Sequence, residues 1–311
     1  MTAPFTCGGV ALLGPPNAGK STLLNACVGQ KMAIVSPRPQ TTRNKITGIL
    51  SDKDSQIIFM DTPGIHHQAR GKMTRLMLQS AWEAAEEADA LWVILDADLY
   101  ARRPEFLDND LIPLRATIAA ERRPVFVLAN KADLLGDKSR LLPLLESLHE
   151  LWPAAELFPV SALTGEGLPV LLAELKAVLP EAEARFPADQ VSTLPLRFLA
   201  AELIREKLFC SLRQEIPYHT AVDIEAWEED TATGHVSIQA VVYVGRPSHK
   251  AIVIGRGGRN LKQVGQSARE EIMKLLERRA RLDIWVKVRE GWVEDVSFLH
   301  ALGLGLGEFS K

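Results

Sequence analysis

The sequence predicts an α/β unit with a mainly parallel sheet and a phosphate-binding loop at its edge, followed by a smaller α+β unit. Three observations point there. Gly14-Pro-Pro-Asn-Ala-Gly-Lys20-Ser21 fits the pattern G-x-x-x-x-G-K-[ST]. Short apolar runs of strand length alternate with segments of helical spacing as far as residue 179. Beyond a Pro-containing, charged stretch, Lys and Arg gather around a G-x-x-G turn at Gly255–Gly258.

Residues 10–13 read as a buried strand ending in the loop, and 21–28 as the helix after it, which is the order a phosphate loop requires. The loop must aim successive backbone N–H groups at phosphate oxygens, so Gly14 and Gly19 supply backbone freedom around Pro15, Pro16, Asn17 and Ala18. Lys20 adds a cation for the β and γ phosphates, and Ser21, followed by Thr22, offers a hydroxyl to Mg²⁺. The helix that starts here directs the positive end of its dipole at the same anion.

Residues 30–45, with Pro37, Pro39, Thr41 and Thr42, read as a polar loop. Strands are expected at 46–50 and 56–60, and the second ends in Asp61-Thr62-Pro63-Gly64. Asp61 supplies a carboxylate to the Mg²⁺ shell, and Gly64 a backbone N–H with no Cβ between it and a γ-phosphate. A helix over 72–87, a strand at 91–95, a helix over 107–120 and a strand at 125–128 follow, the last ending in Asn130-Lys131-Ala132-Asp133. A leucine face from 141 to 148, a strand at 157–160 and a helix over 168–179 complete the unit. The Asp133 carboxylate suits the N1 and N2 edge of guanine, which adenine lacks. Ser161-Ala162, just past the last strand, is placed to offer a backbone N–H to guanine O6. All four motifs fall beyond strand carboxyl ends, where such sheets bind ligands.

Length allows two domains, set here at 1–180 and 196–311 with a linker at 181–195. Hydrophobic residues at 47% and charged residues at 24% exclude a disordered chain, and no apolar run is long enough to span a bilayer. No leader is visible in residues 1–9, which makes cytoplasm the expected compartment. Cys7, Cys27 and Cys210 have neither disulfide nor zinc spacing and read as packing residues.

The net charge of −3 argues against a wholly basic nucleic-acid binder, yet residues 245–289 carry twelve Lys/Arg against four Asp/Glu. The second unit reads as a helix over 196–212, strands at 220–227 and 236–244, a short helix, a helix over 262–279 and a strand at 284–288. Glu228–Asp230 read as an exposed turn. Between the two later helices lies Ile254-Gly255-Arg256-Gly257-Gly258-Arg259, whose glycines let a nucleic-acid backbone pass close while Arg256 and Arg259 meet phosphates. Lys250, Lys262, Arg269, Lys287 and Arg289 extend the field, and some charges in 274–281 are an ordinary wet helix face. Trp285 and Trp292 read as core residues in preference to stacking platforms.

The set Gly14–Ser21, Thr41-Thr42, Asp61–Gly64, Asn130–Asp133 and Ser161-Ala162 resembles the translation-factor-related GTPases. With Gln40-Thr-Thr-Arg43 and the basic C-terminal unit it is similar, over nearly the whole chain, to GTPases of the Era type, and the second unit resembles a type II KH domain. The resemblance implies a Ras-like GTPase domain, hydrolysis of GTP to GDP and phosphate with Mg²⁺, and binding near the 3′ end of 16S ribosomal RNA during 30S subunit assembly. It implies Lys20, Thr42 and Gly64 as the catalytic group and Ser21, Thr42 and Asp61 as metal ligands, while sequence alone does not separate Thr42 from Thr41. It also implies a peripheral association with the inner membrane, for which no anchor is visible, and a monomeric chain is expected. Ile65 stands where Ras-like enzymes carry a water-orienting Gln; His66 and His67 beside it read as solvated. Asn17 has two readings, a K⁺ ligand beside the phosphates or an ordinary turn residue. Two other function classes remain open: an RNA chaperone whose affinity is set by the nucleotide, and a membrane-surface GTPase with a lipid-facing basic patch.

Overall fold

The structure is a computed structural model that describes residues 4–36, 38, 40–67 and 70–305. Pro37 and Pro39 of the polar loop lie outside them. The chain divides into two compact units, one of Met1–Ala33, Thr42–Arg70 and Thr74–Thr193, the other of Ile34–Thr41, Gly71–Met73 and Leu194–Lys311.

In the first unit the strands are β1 (Thr6–Leu13), β2 (Ile46–Ser51), β3 (Ser55–Asp61), β4 (Ala90–Asp96), β5 (Val125–Asn130) and β6 (Glu156–Pro159). Their order in the sheet is β2-β3-β1-β4-β5-β6. Only β2 is antiparallel to its neighbour; the other pairs are parallel. The chain leaves β1 toward β3 on one side and later reaches β4 on the other, so the order switches at β1, where its loop opens. β1, β3 and β5 are buried almost throughout, as a sheet covered on both faces requires.

The helices are α1 (Lys20–Val28), α2 (Lys72–Glu87), α3 (Ala97–Arg102), α4 (Glu105–Ala119), α5 (Leu142–Leu151) and α6 (Leu168–Val178). Ala81 and Ala84 of α2, Leu111 and Leu114 of α4, and Leu144 and Leu148 of α5 share a core with Leu13, Val93 and Val127 of the sheet. The sequence reading did not contain α3. Its six residues show too little periodicity, but Asp96 caps it by accepting from the Leu99 amide at 3.0 Å. Residues 181–193 contain no helix and run along the sheet. Gln56 Oε1 accepts from the Arg185 and Phe186 amides at 2.7 and 2.9 Å, and the Ile49 amide donates to the Val191 carbonyl at 2.8 Å.

The second unit contains α7 (Leu196–Ser211), β7 (Thr220–Glu229), β8 (Val236–Val244), α8 (Pro247–Ile254), α9 (Arg259–Leu276), β9 (Ala280–Val288) and α10 (Val296–Ala301). β7 and β8 are antiparallel, β8 and β9 parallel. Ile204 and Leu208 of α7 and Val264, Ala268 and Ile272 of α9 pack on Ile238, Ala240 and Val242 of β8. α7 also buries charge. Arg205, 3% exposed, holds Glu202 with two N–H donors and gives one of them to the Thr41 carbonyl as well, and Glu206 accepts from the Val35 amide at 3.2 Å. β7 runs on through Glu228 and Glu229, so the exposed turn begins only at Asp230.

Candidate nucleotide site and candidate nucleic-acid interface

β1 delivers the chain into the loop at Gly14, whose φ of 139° and 2.2 Å clearance from a built Cβ to the Ile94 carbonyl leave no room for a side chain. Gly19, at φ 95°, caps α1 with no side-chain acceptor and no acidic residue in the first turn. The first amides of α1 therefore have no partner in the helix and face the loop. Lys20 folds back over the loop, donating to the carbonyls of Gly14 at 3.0 Å and Pro15 at 2.9 Å.

Behind Lys20 stand three oxygens. Ser21 Oγ lies 2.6 Å from Asp61 Oδ2 and 2.8 Å from Thr42 Oγ1, and Thr42 Oγ1 is 3.3 Å from the same Asp61 oxygen. Asp61 is fully buried and its Oδ1 has no hydrogen-bond partner. Burial raises its pKa to about 6 against the opposing pull of Ser21, Lys20, Thr42 and the Thr62 amide. Burial likewise lowers Lys20 to about 8, opposed by Asp61. The two buried charges offset each other only in part, so the site favours an anion at Lys20 and a cation at Asp61. Two hydroxyls and a carboxylate are the hard oxygen donors that Mg²⁺ takes, so the residues present fit that ion. Of the two threonines, Thr42 joins this group, while Thr41 Oγ1 bonds Ser36 and the Arg38 carbonyl.

Thr62 Oγ1 donates to the Leu12 carbonyl at 2.6 Å and ties the β3 end to β1. A Cβ on Gly64 would sit 2.7 Å from Pro16, so the two loops touch and only glycine fits. The Ile65 amide donates to the Gly14 carbonyl at 3.0 Å, and its side chain, 1% exposed, is part of the sheet core. It cannot orient a water. His66 is half-buried, which lowers its pKa, with the neighbouring His67 charge adding to the effect.

On the other side of the loop, Asn130 Nδ2 donates to the Ala18 carbonyl at 2.8 Å and Asn130 Oδ1 accepts from the Ala162 amide at 2.9 Å. Lys131 has a left-handed φ of 66° and its Nζ meets Asp96 Oδ2 at 2.5 Å. Asp96, absent from the sequence reading, thus both caps α3 and positions Lys131; an Asp directly after an apolar strand is the signal that would have found it. Asp133 Oδ1 accepts from Ser161 Oγ at 2.6 Å. One expectation changes here. The Ser161 and Ala162 amides are not left open for a base, because the turn after β6 gives the first to the Glu166 carbonyl and Asn130 takes the second.

In the second unit α8 ends at Gly255, φ 73°, where a Cβ would meet Asn260 Cβ at 2.8 Å, and Asn260 Nδ2 clasps the turn through the Val253 carbonyl at 2.9 Å. Gly257 and Gly258, φ 61° and 74°, have open space where a Cβ would be. Among the described residues Lys250, Arg256, Arg259, Lys262 and Arg269 have no ion-pair partner, whereas Lys287 and Arg289 do. Lys287 pairs with Glu225 at 2.6 Å, and Arg289 pairs with Asp295 at 2.7 Å while stacking on Phe298, so these two do not extend the free positive field. The tryptophans also divide. Trp292 is core, 1% exposed, but Trp285 is 47% exposed on β9. Cys210 is exposed as well, unlike Cys7 and Cys27.

Comparison with known proteins agrees with both units. The "50S ribosome-binding GTPase" family model matches residues 9–131 and the "KH domain" model residues 215–293. The chain is 60% identical to the GTPase Era of Nitratidesulfovibrio vulgaris over 298 residues, 96% of this chain and 97% of that one, and 56% identical over 300 residues to that of Desulfovibrio desulfuricans, 96% and 97%. Two solved structures superpose with a TM-score of 0.88 at 37% identity, covering 97% of this chain and all of theirs: an Era in complex with MgGDPNP and nucleotides 1506–1542 of 16S ribosomal RNA, and a variant of the Aquifex aeolicus Era bound to GDP and AlF4⁻. With the phosphate loop, the buried Lys20 and Asp61, and the Asn130 tie in place at one edge of a mainly parallel sheet, and a KH domain after it, this chain belongs to the Era family of GTPases.

Proposed function

We propose that this protein is a GTP-driven switch that binds 16S ribosomal RNA near its 3′ end and assists assembly of the 30S subunit. The observation that carries the reading is the pairing, in one chain, of a phosphate loop backed by buried Lys20 and Asp61 with a glycine turn flanked by unpartnered cations. The relative solved with MgGDPNP and a 16S fragment supports it. Ser21, Thr42 and Asp61 would hold Mg²⁺, which when bound would neutralise charge on the phosphates. Lys20 and the first-turn amides of α1 bind the phosphates, Gly64 lets its backbone approach the γ-phosphate, and Asp133 reads the guanine edge. Nothing at Ile65 orients the attacking water, so unaided turnover is slow; a K⁺ ion held at Asn17 would supply missing positive charge, and what is still missing falls to the bound RNA. Arg256, Arg259, Lys250 and Lys262 hold RNA phosphates while the Ile254 side of the turn takes about four unstacked bases.

The test measures single-turnover GTP hydrolysis by the full chain, alone and with a 16S 3′-end fragment, and RNA affinity against salt. Contacts to about five phosphates give a log-log slope of roughly −3.5. A flat salt response removes the electrostatic part of the RNA argument, and affinity for anionic vesicles that RNA does not compete away replaces this reading with the membrane-surface one.

A further inference from the structure

A pocket in the second unit, of about 240 Å³, lies at the other end of α8 from the glycine turn. Glu215, His219, Arg246, His249 and Trp292 line it together with Gly245, Gly291 and Val293. Its chemistry has no role in the nucleotide site or at the turn.

Four features mark it as a site for an anion. α8 starts without a side-chain cap, with Arg246 at the cap position and Pro247 first in the helix, and the first amide to bond within the helix is that of Lys250, to the Arg246 carbonyl at 3.2 Å. The Ser248 and His249 amides are therefore left for an acceptor outside the helix. His249 is 8% exposed and its ring Nδ1 is buried without a hydrogen-bond partner. The His219 ring lies 6.0 Å from it, centroid to centroid. Arg246 is exposed and has no ion-pair partner among the described residues. A helix N-terminus, a free guanidinium and an unsatisfied imidazole are a combination that binds a phosphate oxyanion.

We infer that this pocket takes one ribose phosphate of the RNA strand held at Gly255–Gly258, so that α8 is gripped by RNA at both ends. This rests on the RNA-binding reading above. A helix of eight residues is about 12 Å long, which places the pocket within reach of a strand extended beyond the four nucleotides at the turn. Arg246 and the open amides take the phosphate. Glu215, the one carboxylate of the lining, is repelled by a phosphate but accepts from a hydroxyl, which suits the 2′-OH of the same nucleotide and favours ribose over deoxyribose. Gly291, Trp292 and Val293 form the wall against the sugar.

The test compares two RNAs on the full chain: a tetranucleotide that occupies the turn, and the same sequence extended at both ends. Arg246→Ala is expected to weaken the long RNA about tenfold, to leave the tetranucleotide unchanged, and to leave GTP turnover alone. Glu215→Ala, which removes the acceptor, is expected to erase any preference for the long RNA over its counterpart with deoxyribose in the extensions. The His249 ring resonance is expected to shift with the long RNA. Equal loss for both RNAs, or no loss for either, overturns the pocket assignment while the RNA reading stands. A His249 shift with inorganic phosphate but not with the long RNA assigns the pocket to a free anion and overturns it too. No binding of either RNA by the unmutated chain sinks the RNA reading itself.

Discussion

Asn130 and Ala18 are 112 residues apart in sequence, yet the Asn130 side-chain amide donates to the Ala18 carbonyl at 2.8 Å, inside the phosphate loop. The same side chain accepts from Ala162. One residue thus braces the loop against both base-side turns, and it packs so tightly that a Cβ on Gly19 would come within 2.3 Å of it. Asn130→Ala leaves a buried carbonyl and a buried amide unpaired, each worth about 1–3 kcal/mol. GDP and GTP affinity, measured by titration, are expected to fall together by at least about tenfold. Equal affinity in the variant and the parent chain contradicts the brace.

In the proposed function Asp133 reads the base. Asp133→Asn keeps the size and a partner for Ser161 but turns an acceptor into a donor facing guanine N1–H and N2–H₂. GTP affinity is expected to drop by orders of magnitude while XTP, which offers an acceptor at that position, binds better than GTP. Competition titrations of GTP, XTP and ATP decide it, and an unchanged order of affinities removes Asp133 from the base site.

Asn17 has φ 64°, a left-handed conformation that favours Asn or Gly, so the turn alone is enough to explain the residue. The K⁺ role is separable. Hydrolysis is expected to run faster in KCl than in NaCl at equal ionic strength, and Asn17→Gly, which keeps the backbone unstrained, is expected to lose the difference while retaining GDP binding. Equal rates in the two salts for the unmutated chain return Asn17 to the turn reading.

A fourth prediction concerns stability. Arg123 donates to the carbonyls of Ala85 and Ala88, both at 2.7 Å, covering the end of α2, which has no basic residue in its own last turn. Glu121 grips that guanidinium with both oxygens, and the grip lowers the Glu121 pKa from 4.5 to about 2. A carboxylate depressed on folding adds stability above its unfolded pKa and loses it as pH falls through the folded one. Glu121→Gln is expected to cost about 1 kcal/mol at pH 7, a figure discounted for partial solvent contact. In urea titrations the gap is expected to close between pH 4.5 and about 2. A gap independent of pH assigns the cost to packing instead.

The strand ends were legible because apolar strand runs stop where their motifs begin: Asp61 and Asn130 are the last residues of β3 and β5. Thr42 was not separable from Thr41, because adjacent residues on an irregular segment point to different partners, and only the folded chain shows that one reaches Ser21 and the other Ser36. Charge counting failed at Lys287 and Arg289 for a similar reason. Their partners Glu225 and Asp295 come from another strand and from the chain after β9, so a local sum does not see the neutralisation. Hydropathy misplaced Trp285: its neighbour Val286 points into the core, and period-two alternation turns Trp285 outward.

The three cysteines differ enough to give the chain a natural handle. Cys7 is fully enclosed and out of a reagent's reach, and burial pushes the Cys27 thiol up to about 12, so it keeps its proton at neutral pH. Cys210, near the end of α7, is open to solvent. A maleimide dye will therefore load at one position of the unmutated protein, in the unit that carries the KH domain, and a second dye on the nucleotide gives a distance that can be followed through a single turnover without altering any residue.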